Sequence, residues 1–294
     1  MCGKLFYSIR FKRWARLMKV GFFDKRLFKI FLQITSVVSA SLSTLLLFVD
    51  LPDEYKALSL AAFAFLLLAA YVSVWIWSNQ LNHVEIKIDG TSVAIKVGDI
   101  FLQPGLKAIA FNEYFDTQVD NRIISEKSLN GLFVKSHLKI PVEELDQKIA
   151  SFVFEEDEVL GATEKMRQGK NIKYRLGTIY VYDDYLLTAM SKFDESNRAV
   201  LTMPEYLEFL VRFWDQVNKV YAQQSVSTPI FGSGITRIKG HKNISDEDLL
   251  KIMLWTFRIS EMRFKYPANL SIIIHKDKID QINLLDMKLL NNGV

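Results

Sequence analysis

At 294 residues the chain can hold one large domain or two smaller units, and half of it is apolar. Its single cysteine, Cys2, excludes an intrachain disulfide framework and a cysteine-built metal site, and fits a reducing cytosol. The net charge of +4 hides an asymmetry: residues 1–30 carry nine Lys/Arg against one acid, Asp24, which leaves the rest of the chain at −4. Basicity confined to one end points to anionic lipid headgroups near the N-terminus, not to a nucleic-acid groove in the main body.

The first thirty residues interleave Lys and Arg with Phe6, Tyr7, Phe11, Trp14, Phe22 and Phe23. That pattern reads as an interfacial arm, residues 1–29. Residues 30–49 are free of charge, and twenty residues at about 1.5 Å each reach about 30 Å, the thickness of a bilayer core. A short acidic link with Pro52 follows. Residues 57–77 form a second charge-free run, with Tyr71, Trp75 and Trp77 crowding its end as an aromatic belt would. The expectation is a transmembrane hairpin over residues 30–78. The positive-inside rule places both termini in the cytoplasm. Ser36, Ala40 and Thr44 recur at helical spacing on the first span, as do Ser39 and Ser43. Small residues so spaced suit close packing, within one chain or between copies.

After residue 78 strands and helices alternate. Residues 84–88 and 92–97 read as strands, as do 108–111. A polar cluster, residues 112–117, follows the latter, where open α/β sheets bind ligands. Helical patterning resumes over residues 123–138 and again from Pro141. Residues 174–182 and 185–192 read as a hairpin turning at Asp183 and Asp184. Residues 203–222 carry an apolar stripe of Leu207, Leu210, Val211, Trp214, Val217 and Tyr221. A short buried strand over 229–231 runs into Gly232, Ser233 and Gly234. These let the backbone turn sharply and bring N–H groups to a ligand. Thr236 and Arg237 add a hydroxyl and a cationic fork suited to phosphate. Ser245 with Asp248 starts a helix to about residue 263. A last strand at 270–274 precedes a helix over 280–290. The fold class expected for residues 79–294 is a three-layer α/β/α domain, preceded by the α-helical transmembrane hairpin. Four scattered histidines, His83, His137, His241 and His275, show no metal-ligand spacing, so no metal or cofactor is expected.

Gly98-Asp99-Ile100 followed by the short strand ending in Asn112 resembles the opening of macro domains. Val119-Asp120 with Ile123 resembles the segment after that family's glycine loop, and Gly232-Ser233-Gly234-Ile235 its second phosphate-binding loop. With the hairpin in front, the set resembles the macro-domain type of the ThsA family of Thoeris anti-phage effectors. The resemblance spans roughly residues 84–294 and implies a macro-like domain that binds an ADP-ribose-type signal, histidine–ADP-ribose being one such conjugate. It implies a TIR-domain partner that makes the signal from NAD, and a homo-oligomer that disturbs the lipid bilayer. It also implies roles for residues. Asp99 and the Ile100 N–H would hold adenine, and Asn112 would sit by the distal ribose. Residues 232–236, Ile235 included, would wrap the diphosphate with their N–H groups, and Gly177 and Thr178 would line a wall. Glu113, Tyr114, Phe115, Asp116, Thr117 and Gln118 stand where that family usually has glycines. Glu113, Asp116 or Asp120 would then pair with a cationic group on the ligand. No nucleophile–base pair is visible, so binding rather than catalysis is expected. The alternatives are a membrane-tethered ADP-ribose hydrolase using Asp120 to orient water, and a membrane scaffold for a protein partner.

Overall fold

The structure is a computed structural model that describes residues 19–49, 52–163, 169–194, 198–234, 236–241 and 244–290, without the side chains of Arg237, Leu289 and Leu290. The N-terminal arm up to residue 18, Cys2 included, lies outside the described residues. The chain divides into two compact units. One comprises residues 1–84 together with 280–293, the other residues 85–279. Residues 280–293, expected to belong with the α/β domain, thus group with the helical hairpin.

In the first unit, α1 (Lys25–Leu46) and α2 (Asp53–Asn79) are both long and apolar enough to cross a membrane. Asp24 caps α1 by accepting the Arg26 N–H at 2.8 Å. α2 starts earlier than the apolar run, at Asp53, because Pro52 precedes it and Asp53 and Glu54 suit the positive end of the helix dipole. Several hydroxyls of α1 bond within their own helix: Thr35 to the Phe31 carbonyl, Ser41 to Val37 and Thr44 to Ala40, at 2.9, 3.0 and 2.9 Å. Satisfied this way, they lose most of the cost of sitting in hydrocarbon.

The far end of α2 grips the segment before α1. The Trp75 indole donates to the Val20 carbonyl at 3.0 Å, Tyr71 donates to the Phe22 carbonyl, and Asn79 accepts the Val20 N–H at 2.9 Å. Val20, Leu27 and Leu285 form a small buried core there, with Ile30, Val74 and Leu81 packed around it. Leu285 comes from the last helix, α7 (Leu284–Leu290), which begins four residues later than the expected 280 because residues 279–281 form a tight 3-10 turn.

The second unit is built on a mixed sheet ordered β1 (His83–Ile88), β2 (Thr91–Val97), β11 (Leu270–Ile274), β9 (Val226–Pro229), β3 (Leu106–Asn112), β7 (Tyr185–Phe193), β8 (Ala199–Leu201) and β10 (Arg237–Ile238). Strands β2, β11, β9, β3 and β7 run parallel. Their carboxyl ends therefore share one edge of the sheet. β6 (Ile179–Tyr182) pairs antiparallel with β7, and β4 (Val159–Ala162) pairs with β5 (Ile172–Tyr174) in a separate ribbon. The expected strand over 174–182 is broken at Gly177, whose φ of +89° a pleated strand does not admit.

Helices cover the sheet. α5 (Met203–Val220) and α6 (Asp246–Ile259) each begin with a capping box, from Thr202 with Glu205 and from Ser245 with Asp248. Phe209, Phe213 and Trp214 of α5 are fully buried, and Trp214 packs edge-on against Phe257 of α6. Of the expected stripe, Leu207 and Val211 are only half-buried. A second core joins Phe111, Phe115, Phe133 and Tyr174 to Leu145 and Ile149 of α4 (Val142–Ser151). The helix expected over 123–138 shrinks to α3 (Leu129–Leu132) and one π turn. Side chains explain the loss. Asp120, Asn121, Ser125 and Ser128 bond nearby backbone, and so compete with helical hydrogen bonds.

Candidate ligand-binding cleft

A cleft of about 430 Å³ opens beyond the carboxyl ends of β9, β3 and β7. Three stretches line it: residues 110–112 with 121–130, residues 190–199 in part, and residues 229–236 in part.

The Gly-Ser-Gly loop starts from a fixed anchor. Phe231 is 1% exposed and packs edge-on against Phe209 and Phe213. Its carbonyl accepts the Tyr206 hydroxyl at 2.8 Å, and its N–H meets the Met253 sulfur at 3.3 Å. Gly232 then takes φ +85°, a value only glycine adopts without strain. The N–H groups of Gly232 and Gly234 have no protein acceptor among the described residues. They are free to bind an anion.

Asn112 ends β3 and is buried. Its amide is almost fully used. The Oδ1 accepts the N–H groups of Tyr114 and Asp116 at 3.0 and 3.2 Å, and the Nδ2 donates to Asp116 at 2.9 Å. One Nδ2 proton remains, so Asn112 can offer the cleft a donor. Behind it, Asp116 also accepts the Lys170 N–H at 2.8 Å, and the Lys170 ammonium bonds the Phe115 carbonyl at 2.6 Å and pairs with Asp146 at 2.5 Å. Burial lowers the pKa of Lys170, and Asp146 offsets part of that. Glu113 is 2% exposed and pairs with Lys173 at 3.1 Å. Burial raises its pKa, and Lys173 only partly counters the rise.

The wall over residues 120–131 is stapled to itself. Asp120 accepts the N–H groups of Arg122 and Ile123, both at 2.8 Å, and the Ile123 and Arg122 bonds hold its carboxyl below the usual value. Asn121 takes φ +63° and accepts the Glu126 N–H. The Ser128 hydroxyl accepts the Gly131 N–H at 3.2 Å. A Cβ on Gly131 would stand 2.1 Å from the Ser125 carbonyl, so only glycine fits there.

The cleft therefore unites Asn112, Gly232, Ser233, Gly234 and Thr236 from the expected set. Ile235 and the Arg237 side chain lie outside the described residues. Glu113, Asp116 and Asp120 do not line the cleft: the first two are buried beside it, and the third is engaged as a cap. Asp99 and Ile100 sit at the end of β2, which β11 separates from β9, and Asp99 caps a 3-10 turn through the Phe101 N–H at 2.9 Å. Gly177 packs against Arg212, and Thr178 is fully buried in the sheet, so neither reaches the cleft wall. Residues the sequence reading passed over take their place: Arg122, Lys127, Ser128 and Asn130 from one wall, and Ser191 and Arg198 from another. The run of Asp, Asn and Ser between 120 and 128 was the available signal for a stapled loop. Among the described residues, three cations and no carboxylate line this space.

The family model described as Thoeris protein ThsA, Macro domain, matches residues 93–275. Thoeris protein ThsA of Bacillus amyloliquefaciens (strain Y2) is 37% identical over 271 residues, covering 90% of each chain. Among solved structures, the Oceanobacillus iheyensis macrodomain with MES bound is 12% identical at a TM-score of 0.44, covering 72% of this chain and 98% of that one. The same macrodomain with ADP gives 12% identity and a TM-score of 0.42, covering 71% and 95%.

Proposed function

The chain belongs to the ThsA family of Thoeris proteins and carries its macro domain, and on that premise we propose that it is a membrane-bound defence effector whose cleft binds an ADP-ribose-type signal. The supporting observation is the pairing of free Gly232 and Gly234 N–H groups with three cations and, among the described residues, no carboxylate in one cleft. A diphosphate needs those donors, and it repels carboxylates. Asn112 offers its remaining proton to a ribose oxygen. Histidine–ADP-ribose, made from NAD by a TIR-domain partner, is the candidate signal. The basic arm lies on anionic headgroups, α1 and α2 cross the bilayer, and both termini stay in the cytoplasm.

Binding acts as a trigger, not as catalysis. The signal binds an assembled state more tightly than the idle one, and the clustered hairpins then breach the bilayer. Moving such an equilibrium from idle to active takes about 10⁴-fold tighter binding to the active state. The test uses full-length protein in detergent, titrated calorimetrically with ADP-ribose and histidine–ADP-ribose, while light scattering follows its mass and dye-loaded liposomes report leakage. Binding heat, gained mass and dye release together are expected. Gly234→Trp, which fills the diphosphate position, abolishes all three and leaves membrane insertion intact. No heat and no mass change at saturating ligand would refute the proposal. Consumption of an ADP-ribosylated substrate would favour a hydrolase instead.

A further inference from the structure

The acids expected to read a cationic group are not available to do so. Glu113 is buried against Lys173, and Asp116 is bound to Asn112 and to the Lys170 N–H. Asp120 accepts from Arg122, Ile123 and Gln118. The same stretch of chain instead presents Arg122 and Lys127 to the cleft. Neither side chain forms an ion pair among the described residues, although Asp120 lies within Coulombic range of Arg122, whereas Arg198 is bound to Asp194 at 2.9 Å. Arg122 stands on a segment whose backbone is fixed by the Asp120 carboxylate, so a ligand has only the side chain left to order there. The diphosphate already has separate donors in the Gly-Ser-Gly loop, which belongs to a different strand end. The two cations outside ion pairs thus exceed what a diphosphate bound at that loop requires.

We propose that Arg122, supported by Lys127, forms a second anion position in the cleft, reading a carboxylate or a further phosphate that the ligand carries beyond its diphosphate. The ligand class is then an ADP-ribose bearing an extra anionic group. This rests on the ADP-ribose reading of the cleft. It reverses the charge expected of the distal group's partner: the wall reads an anion, and any cationic part of the ligand is left facing solvent.

The experiment titrates full-length wild-type protein, Arg122→Gln and Arg122→Lys with four compounds. These are ADP-ribose, ADP-ribose 2′-phosphate, an amino-acid conjugate of ADP-ribose with a free carboxylate, and that conjugate as its carboxamide. A charge-assisted bond to a guanidinium predicts about ten-fold tighter binding of the free carboxylate than of the carboxamide, or of the added phosphate than of plain ADP-ribose. Whichever pair differs identifies the source of the anion. Arg122→Gln removes that preference, while Arg122→Lys retains part of it. The proposal is overturned if the wild type prefers neither anion-bearing compound. It is equally overturned if Arg122→Gln weakens all four by the same factor, because Arg122 then serves the diphosphate. Failure of the wild type to bind any of the four would refute the ADP-ribose reading itself, and this inference with it.

Discussion

Arg26 and Asp286 form an ion pair at 3.3 Å, joining the first turn of α1 to the C-terminal helix α7. Around it, Leu285 is fully buried against Val20 and Leu27, and the Lys288 ammonium lies 4.9 Å over the Trp77 ring. A seven-residue helix has no stability of its own in water, so this docking holds α7. The chain reaches α7 directly from β11, which pairs with β9 ahead of the Gly-Ser-Gly loop. Leu285→Ala removes a buried side chain and costs the docking about 2–5 kcal/mol. Asp286→Asn removes a partly exposed ion pair and costs about 1 kcal/mol or less. Hydrogen exchange over residues 284–290 separates the two: strong deprotection for Leu285→Ala, little for Asp286→Asn. Equal protection in both would show that α7 is held by something else.

Three glycines carry different constraints. Gly177 has φ +89°, and a Cβ there would meet the Arg212 Cβ at 2.6 Å. Gly177→Ala combines left-handed strain of about 1–2 kcal/mol with overpacking of about 1–3 kcal/mol. It lowers the thermal midpoint without changing the affinity of the folded fraction, since Gly177 is outside the cleft. Gly131→Ala meets the Ser125 carbonyl and distorts the wall that carries Arg122 and Lys127, so it weakens ligand binding as well. Gly234→Ala has open space and no left-handed φ, and leaves the unfolding free energy within about 0.5 kcal/mol of wild type. Calorimetry and thermal melts on the three variants decide the ranking.

Strong periodicity made much of the architecture legible. The two charge-free runs became α1 and α2, and the strands at 84–88, 92–97 and 270–274 appear within a residue or so. The expected N-cap Ser245 sits ahead of a real helix because a hydroxyl with an acid three residues on satisfies two orphan N–H groups, and Thr202 with Glu205 starts α5 in the same way. The short strands β8 and β10 were not legible, since two or three residues carry no period. Of the expected α5 stripe, Leu210, Trp214, Val217 and Tyr221 are buried, but Phe209 and Phe213 take the deeper places expected for Leu207 and Val211, because apolar residues occupy more than one face of that helix and the packing partner Phe231 selects among them. At the cleft, the Gly-Ser-Gly loop and Asn112 could be picked out by residue type. Arg122 and Lys127 could not. An exposed cation looks the same in any loop, and only the order of β9, β3 and β7 brings these two into one space with Gly232.

Glu113 gives a pH-dependent prediction. Burial raises its folded-state pKa above the unfolded value, so the fold favours its protonated form. The stability tied to that proton is present below the unfolded pKa, about 4.3, and is lost as pH rises through the folded one. Glu113→Gln mimics the protonated form. The variant melts at a higher temperature than wild type at pH 7, and the gap closes as pH falls towards about 4.3. A variant less stable than wild type at pH 7 would mean that the Lys173 pair outweighs the burial cost.

Glu205 titrates with the opposite sign, and its position ties acid stability to the ligand loop. Burial alone would raise its pKa, but the Lys192 ammonium at 2.7 Å and the Thr202 N–H and hydroxyl at 2.6 and 2.9 Å overcome that and lower it to about 2. A depressed carboxylate contributes stability that is fully present above its unfolded pKa, about 4.3, and is lost as pH falls through the folded value. The window is therefore from about pH 4.3 down to about 2. Glu205 closes the capping box of α5, and the next residue, Tyr206, holds the Phe231 carbonyl from which the Gly-Ser-Gly loop springs. Glu205→Gln keeps the hydrogen-bonding shape but loses the charge, and at pH 7 it costs about 1 kcal/mol, the scale of a capping interaction at a partly exposed site. Its melting temperature then approaches that of wild type as the pH is lowered through this window. ADP-ribose affinity at pH 7 falls for the variant in step with loosened loop exchange at residues 231–234, read by hydrogen exchange. Unchanged exchange there, with a lowered midpoint, would confine the role of Glu205 to the helix and detach it from the cleft.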